Sequence, residues 1–272
     1  MFGFIQSADG KLPGNQGLWD QHLGIKWVHD NILAFTGNPK DVTIFGKSAG
    51  GASVIFQSLY PGNRGFFQRV IAQSGSALAY WAVHATPNAE PLIAKKGCER
   101  APDPVKCLRA LMPRQLQDDD TSAWKPIIDR DFLISSPQEI FFGNFTHTQS
   151  ARNFFASLDL MTGANNFDGA LYFRDYTDWQ RPNDSATLLF SLLSMSNDVG
   201  FFYPAVSTVK WHAVLRKGKT HLYELSVIPT THTLQAPNWI RSAPDASMVG
   251  YHTDNSPYGD SPSTRHGDGS RT

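Results

Sequence analysis

The chain has 272 residues, 41% of them hydrophobic and 12% aromatic, which is enough to build the core of one large globular domain and excludes disorder throughout. Its 24 basic and 24 acidic residues cancel without any Lys/Arg block, so there is no electrostatic footprint for nucleic acid or an anionic membrane, and a neutral small-molecule partner suits the balance better. No run of 18 apolar residues occurs, so no transmembrane helix is expected, and Met1-Phe2-Gly3-Phe4 lacks the charged and apolar regions of a signal peptide. No metal ion or cofactor is expected.

Phe2, Phe4 and Ile5 read as part of a strand. Over residues 18–35 the apolar positions Leu18, Ile25, Trp27, Val28, Ile32 and Phe35 fall at helical spacing, and Gly37 with Pro39 supplies the stop. Residues 41–45, Asp-Val-Thr-Ile-Phe, form a β-branched run suited to a buried parallel strand. After the turn at residues 46–50, Ala52, Val54, Ile55 and Leu59 continue as a second helix that Pro61-Gly62 ends, and residues 69–73 read as the next strand. Helix, strand, helix, strand is the order of a doubly wound, mostly parallel sheet flanked by helices.

Residues 87–131 turn polar and helical, as in a small excursion over the carboxyl edge of the sheet. Residues 158–162 and 220–226 read as further strands, and residues 186–215 as mostly helical, interrupted at Gly200 and Pro204. From Val249 onward Gly, Ser, Pro, Asp, Thr, His and Arg dominate, so residues 1–248 are expected to form the folded domain and residues 249–272 a disordered tail.

Two cysteines, Cys98 and Cys107, enclose a short polar loop that a disulfide could close in an oxidising compartment; free core thiols are the alternative. Asn144-Phe145-Thr146 and Asn183-Asp184-Ser185 are glycosylation sequons and would be acceptors there. Cysteines and sequons together point to a secreted or extracellular parent protein.

Gly46-Lys47-Ser48-Ala49-Gly50 fits Gly-x-Ser-x-Gly between a predicted strand and a predicted helix, where a nucleophile elbow belongs. Small flanking residues permit a strained turn that lifts the Ser48 hydroxyl above the sheet. The N–H of Ala49 then points from a helix N-terminus toward a developing oxyanion. The plain alternative is a glycine loop that allows close backbone packing.

The segments Pro13-Gly14-Asn15, Asp20-Gln21, Trp27-Val28, Asn31-Ile32, Phe35 and Val42-Thr43-Ile44-Phe45-Gly46, followed by Gln73-Ser74-Gly75-Ser76, resemble those around the nucleophile of the type B carboxylesterase and cholinesterase family. The similarity continues through Gly97-Cys98, Cys107-Leu108-Arg109, Ile128-Asp129, Pro137 and residues 223–239. It implies an α/β-hydrolase fold, incomplete at both ends, and a serine carboxylic ester hydrolase working through an acyl-enzyme on a small-molecule ester. It also implies a small Cys98–Cys107 loop.

Such folds carry their triad in the chain order Ser, acid, His. Asn165-Asn166-Phe167-Asp168-Gly169, after a predicted strand, resembles the family's Asn-x-x-Glu-Gly turn and makes Asp168 the acid; a turn aspartate serving only the backbone is the alternative. No triad histidine is found. The position that matches it is Asp245, whose ordinary pKa lies far below the working range of a general base, and His252 and His266 are the substitutes nearest in sequence. His29, His212 and His221 read as surface or helix-end residues. The family has glutamate just before its serine, where Lys47 would instead repel an imidazolium, and its upstream Gly-Gly oxyanion loop is not found. Two readings follow: a serine esterase, or a catalytically inactive relative retained for adhesion or recognition.

Overall fold

A computed structural model describes residues 2–84, 88–117, 124–173, 185–215 and 217–226. The chain divides into two units, one of residues 1–164 with 198–223 and one of residues 165–197 with 224–272.

The first unit holds most of a four-stranded sheet of order β1-β2-β3-β4, formed by β1 (Thr43–Lys47), β2 (Arg69–Gln73), β3 (Asp159–Asn165) and β4 (Thr220–Leu225). β1 pairs parallel with β2, Thr43 facing Arg69 and Lys47 facing Gln73, and β2 pairs parallel with β3. Leu160 N–H donates to Lys219 O and Asn166 N–H to Leu225 O. The offsets 219 − 160 = 59 and 225 − 166 = 59 agree, so β4 also runs parallel. This is the mostly parallel, helix-flanked α/β architecture read from the sequence.

α1 (Gln16–Asn31) runs into a 3-10 turn over Ile32–Phe35, so the expected helix ends one turn early. Its apolar face is narrower than its sequence implies: Leu18 is buried, whereas Trp27 and Phe35 are exposed. Trp27 lies nine residues beyond Leu18, which at about 100° per residue carries it to the opposite side. α2 (Ala49–Leu59) packs on β1 and β2 with an almost wholly buried surface, its Ile55, Phe56 and Leu59 meeting Phe67, Phe154 and Phe155 in the main core. The expected N-terminal strand is absent. Residues 2–4 form turns, and Phe4 packs against the main core while Ile5 packs against a smaller cluster.

That smaller cluster lies in the polar excursion. α3 (Ala89–Lys95), α4 (Pro104–Arg109) and α5 (Pro113–Leu116) surround Leu92, Cys98 and Leu108. Cys98 and Cys107 are joined in a disulfide with Cα atoms 5.7 Å apart, inside the usual range. The excursion is stitched to the start of the chain by polar side chains. Asn88 accepts from Gln6 N–H and donates to Phe4 O, and Asn15, fully buried, both donates to Ile127 O and accepts from Ile127 N–H.

α6 (Pro137–Phe142) and α7 (Gln149–Ala156) lead into β3. In the second unit a 3-10 turn (Asp168–Phe173) packs with α8 (Ser185–Asn197). A π turn over Asp198–Phe202 contains Gly200, and α9 (Tyr203–Leu215) follows in the first unit. Gly200 does mark a break, but Pro204 does not. It is the second residue of α9, where the missing N–H has no helical partner to lose.

His212 is a helix-end residue, as read, but not a surface one. It sits in the last turn of α9 but is fully buried, with Nε2 2.9 Å from Leu158 O and Nδ1 2.7 Å from Thr220 Oγ1. A carbonyl only accepts, so the proton lies on Nε2 and Thr220 donates to Nδ1. Burial holds the imidazole below its ordinary pKa, and hydrogen bonds to the Leu158 and Phe155 backbone with the charge of Asp159 oppose it only in part.

Two expectations follow. The folded-state pKa of His212 lies below the unfolded one, so its contribution to stability is full above about pH 6.5 and is lost as pH falls below that value toward the folded pKa. Denaturant midpoints measured on either side of that pH should fall more steeply for wild type than for His212→Gln. Replacing both cysteines by alanine should cost about 2–3 kcal/mol of stability, the chain-entropy value for a closed loop of about ten residues, measured by urea unfolding under oxidising conditions.

Candidate active site

The register of β1 on β2 decides where the elbow falls. The last ladder pair is Lys47 with Gln73, and Ser48 N–H then donates to Gln73 O at 2.8 Å. Ser48 is thereby held at φ 58°, ψ −121°, conformational space that non-glycine residues rarely occupy, and it caps α2 without any side-chain hydrogen bond. Its carbonyl accepts from Ala52 N–H at 3.0 Å, so the backbone is committed to the helix while the hydroxyl, half-buried, engages no partner among the described residues. Ala49 is exposed and is the first residue of α2. Helix geometry leaves its N–H without an intrahelical acceptor.

Glycines around this turn have unequal duties. A Cβ on Gly46 would overlap the backbone of Gly50, and a Cβ on Gly75 would overlap the carbonyl of Ser48. One on Gly51 would come within 2.9 Å of Gln73 O. By contrast, a Cβ on Gly50 would meet nothing within 4 Å. Gly50 is thus the glycine of the motif whose own missing side chain the packing does not require. Gly75 follows β2 through Ser74, which has φ 49° and whose N–H donates to Gly163 O at 2.8 Å. Sequence reasoning quoted residues 73–76 as part of a resemblance and gave them no role. The glycine spacing after the second strand was the signal, and only the fold shows that Gly75 abuts the Ser48 turn.

In the second unit Asp168 opens the 3-10 turn three residues after β3, fully buried, with Oδ2 accepting from Asn165 N–H at 2.8 Å. Gly169 N–H donates to Asn197 Oδ1, and a Cβ on Gly169 would collide with the α8 backbone, so the Asp-Gly pair is held tightly. One carboxylate oxygen therefore does the backbone work of an aspartate turn. A buried carboxylate fixed in this way is also a rigid acceptor for an imidazole.

Six histidines fall among the described residues, namely His22, His29, His84, His147, His212 and His221, and none hydrogen-bonds to Ser48 Oγ. His22 is tied to Asn63 and His212 to Leu158 and Thr220. Asp245, His252, His266, Asn183 and the tail of residues 249–272 lie outside the described residues. Lys47 is half-buried and forms no ion pair among them. Asn144 is exposed. Among the described residues no cluster of His, Cys, Asp and Glu could hold a metal ion, and no helix is long and apolar enough to cross a membrane.

Known proteins share this chain's pattern. It is 39% identical over 191 residues to the bile salt-activated lipase of Mus musculus, covering 62% of this chain and 29% of that protein. It is 35% identical over 176 residues to acetylcholinesterase 4 of Caenorhabditis briggsae, covering 62% of this chain and 29% of that one. It is 28% identical over 264 residues to neuroligin-2 of Rattus norvegicus, covering 78% of this chain and 30% of that one. The chain spans at most 30% of the length of the curated lipases it matches. A profile described as "Carboxylesterase family" matches residues 1–174, which include the elbow and the Asp168 turn, and since this is well over half the chain, the protein belongs to the carboxylesterase family.

Proposed function

We propose that the chain carries the chemistry of a serine carboxylic ester hydrolase. In this reading Ser48 attacks the ester carbonyl and Ala49 N–H stabilises the oxyanion. Asp168 orients an imidazole and stabilises its cation. The acyl group bonds to Ser48 Oγ as the alcohol departs with a proton, and water then releases the acid. The observation that carries it is Ser48 itself: a non-glycine residue held at positive φ between strand and helix, its hydroxyl engaged by no described side chain. The similarity to a lipase and an acetylcholinesterase supports small ester substrates, and the disulfide supports a secreted protein.

A second reading, a recognition module without catalysis, draws on the neuroligin-2 similarity and on Asp245 standing where the family's histidine is expected. The two are separable. Turnover of p-nitrophenyl butyrate by the chain as it stands should be slow, and Ser48→Ala should change it little. Asp245→His should raise it by about 10²-fold or more, the usual contribution of a positioned base, and the gain should vanish in the Asp245→His, Ser48→Ala double variant. A gain that persists without Ser48 overturns the nucleophile assignment. A folded Asp245→His chain no faster than Ser48→Ala selects the recognition reading.

The glycine contacts give a further test of the elbow. In the Asp245→His background Gly75→Ala should abolish the gain, because its methyl would push on the Ser48 carbonyl. Gly50→Ala should preserve the gain and stabilise the chain by up to about 1 kcal/mol through helix propensity. Thermal melts with the same ester assay would check both.

A further inference from the structure

The chain as a whole carries no net charge, but the charge around the elbow is one-sided. Between Asp41 and Glu90 the sequence has no aspartate or glutamate, and its lysine and arginine side chains are Lys47, Arg64 and Arg69 alone. Arg69 opens β2 and pairs with Asp41, while Arg64 precedes β2, donates to Ser150 O and lies over the Phe154 ring. Both arginines thus belong to the amino end of the strands.

Lys47 closes β1 at the other end, in register with Gln73, the last residue of β2. Its side chain is half-buried and forms no hydrogen bond or ion pair among the described residues. Ligands meet open α/β sheets at the carboxyl ends of the strands, which is where this ammonium stands.

Its distance from the chemistry is set by the chain. Ser48 is the next residue, with Cα atoms about 3.8 Å apart, and a four-carbon stem keeps the ammonium within about 10 Å of the Ser48 Cα in every rotamer. That span is close to the Debye length of about 8 Å at physiological salt, and partial burial weakens the screening further. α2 begins at Ala49 and adds the positive end of its dipole to the same place. From residues 42–89 an anionic group beside the ester meets attraction without any opposing carboxylate, and a cationic group meets repulsion.

We propose that Lys47 is a specificity residue that selects esters whose acyl part carries an anionic group a few carbons from the scissile carbonyl, as in half-esters of aliphatic dicarboxylic acids. This rests on the reading of Ser48 as the nucleophile. Lys47 engages the remote anion and not the reacting carbonyl, so ground state and transition state gain alike and the effect falls on KM more than on kcat.

The test uses three p-nitrophenyl esters of similar chain length: the half-ester of adipic acid, the hexanoate and the 6-(trimethylammonio)hexanoate. In the Asp245→His chain kcat/KM should fall in that order by about fivefold per step, the upper value of a partly screened ion pair. Lys47→Arg should keep the order, Lys47→Gln should flatten it and Lys47→Glu should invert it, whereas a merely structural fault would slow all three esters alike. An order that is flat with Lys47 present, or that survives Lys47→Gln, overturns the proposal; the nucleophile reading still stands if Ser48→Ala abolishes turnover. A second measurement needs no turnover. By calorimetry the unsubstituted chain should bind the mono-anilide of adipic acid about fivefold more tightly than hexananilide, and Lys47→Gln should bind the two equally. Equal binding with Lys47 present overturns the proposal by itself. A preference that depends on Lys47, without any turnover that depends on Ser48, sustains the anion selection and overturns the esterase reading instead.

Discussion

The hydrogen bond from Ser48 N–H to Gln73 O organises the rest of the candidate site. It extends the β1–β2 ladder one residue beyond the strand, so the chain must turn sharply to begin α2, and the turn is taken by a serine rather than a glycine. A positive φ at a non-glycine residue costs about 1–3 kcal/mol and persists only where surrounding contacts over-determine it. Here the ladder below, the Ala52 N–H above and the bare Cα of Gly75 alongside supply those contacts. The device repeats one strand over, where Ser74, also at positive φ, bonds to Gly163 O. β3 in turn is pressed against β4 at Gly163, where any side chain would strike the Tyr223 carbonyl. Serine orientation is thus a property of three adjoining strand ends, not of a five-residue motif.

Much of this was legible in the sequence because short β-branched runs bounded by turn residues announce parallel strands, although β1 is half-buried or exposed along its length rather than buried as its composition implies. Residues 69–73 match β2 at both ends, and the β-branched run before Gly46 lies within two residues of β1. The elbow was legible for the same reason: Gly-x-Ser-x-Gly gains meaning only from a strand before and a helix after. Which glycine matters was not legible, since Gly46, Gly50 and Gly75 look alike in a string of letters and differ only in what lies opposite them in space. Nor was the Asp168 turn fully legible, because an aspartate before glycine reads equally well as an acid or as a turn residue, and its carboxylate does bond to the Asn165 backbone.

Misreadings cluster where tertiary burial overrides local pattern. His212 does lie at a helix end but is buried rather than exposed, because the residue before β3 and the first residue of β4 bring a carbonyl and a hydroxyl to its two ring nitrogens from 54 and 8 positions away. Trp27 has the hydrophobicity of a core residue but lies on the wrong side of α1. For His212 the deciding partner is remote and a periodicity argument cannot reach it, whereas for Trp27 the helix period counted from Leu18 already gives the exposed side.

The outer side of β1 has no strand beyond it among the described residues, and Phe45 is exposed there. An apolar β-branched strand with an unpaired backbone edge is a template for stacking with copies of itself. Its flanking residues bear on that. Lys40 and Asp41 precede the apolar run and Lys47 follows it, Asp41 being held by an ion pair with Arg69. Identical chains stacked in register would place Lys47 over Lys47 and Asp41 over Asp41, like charges on adjacent strands that disfavour the assembly. The cation beside the serine, which is awkward for an imidazolium, would therefore also disfavour amyloid-type pairing of this edge, and neutralising it would trade one liability for another.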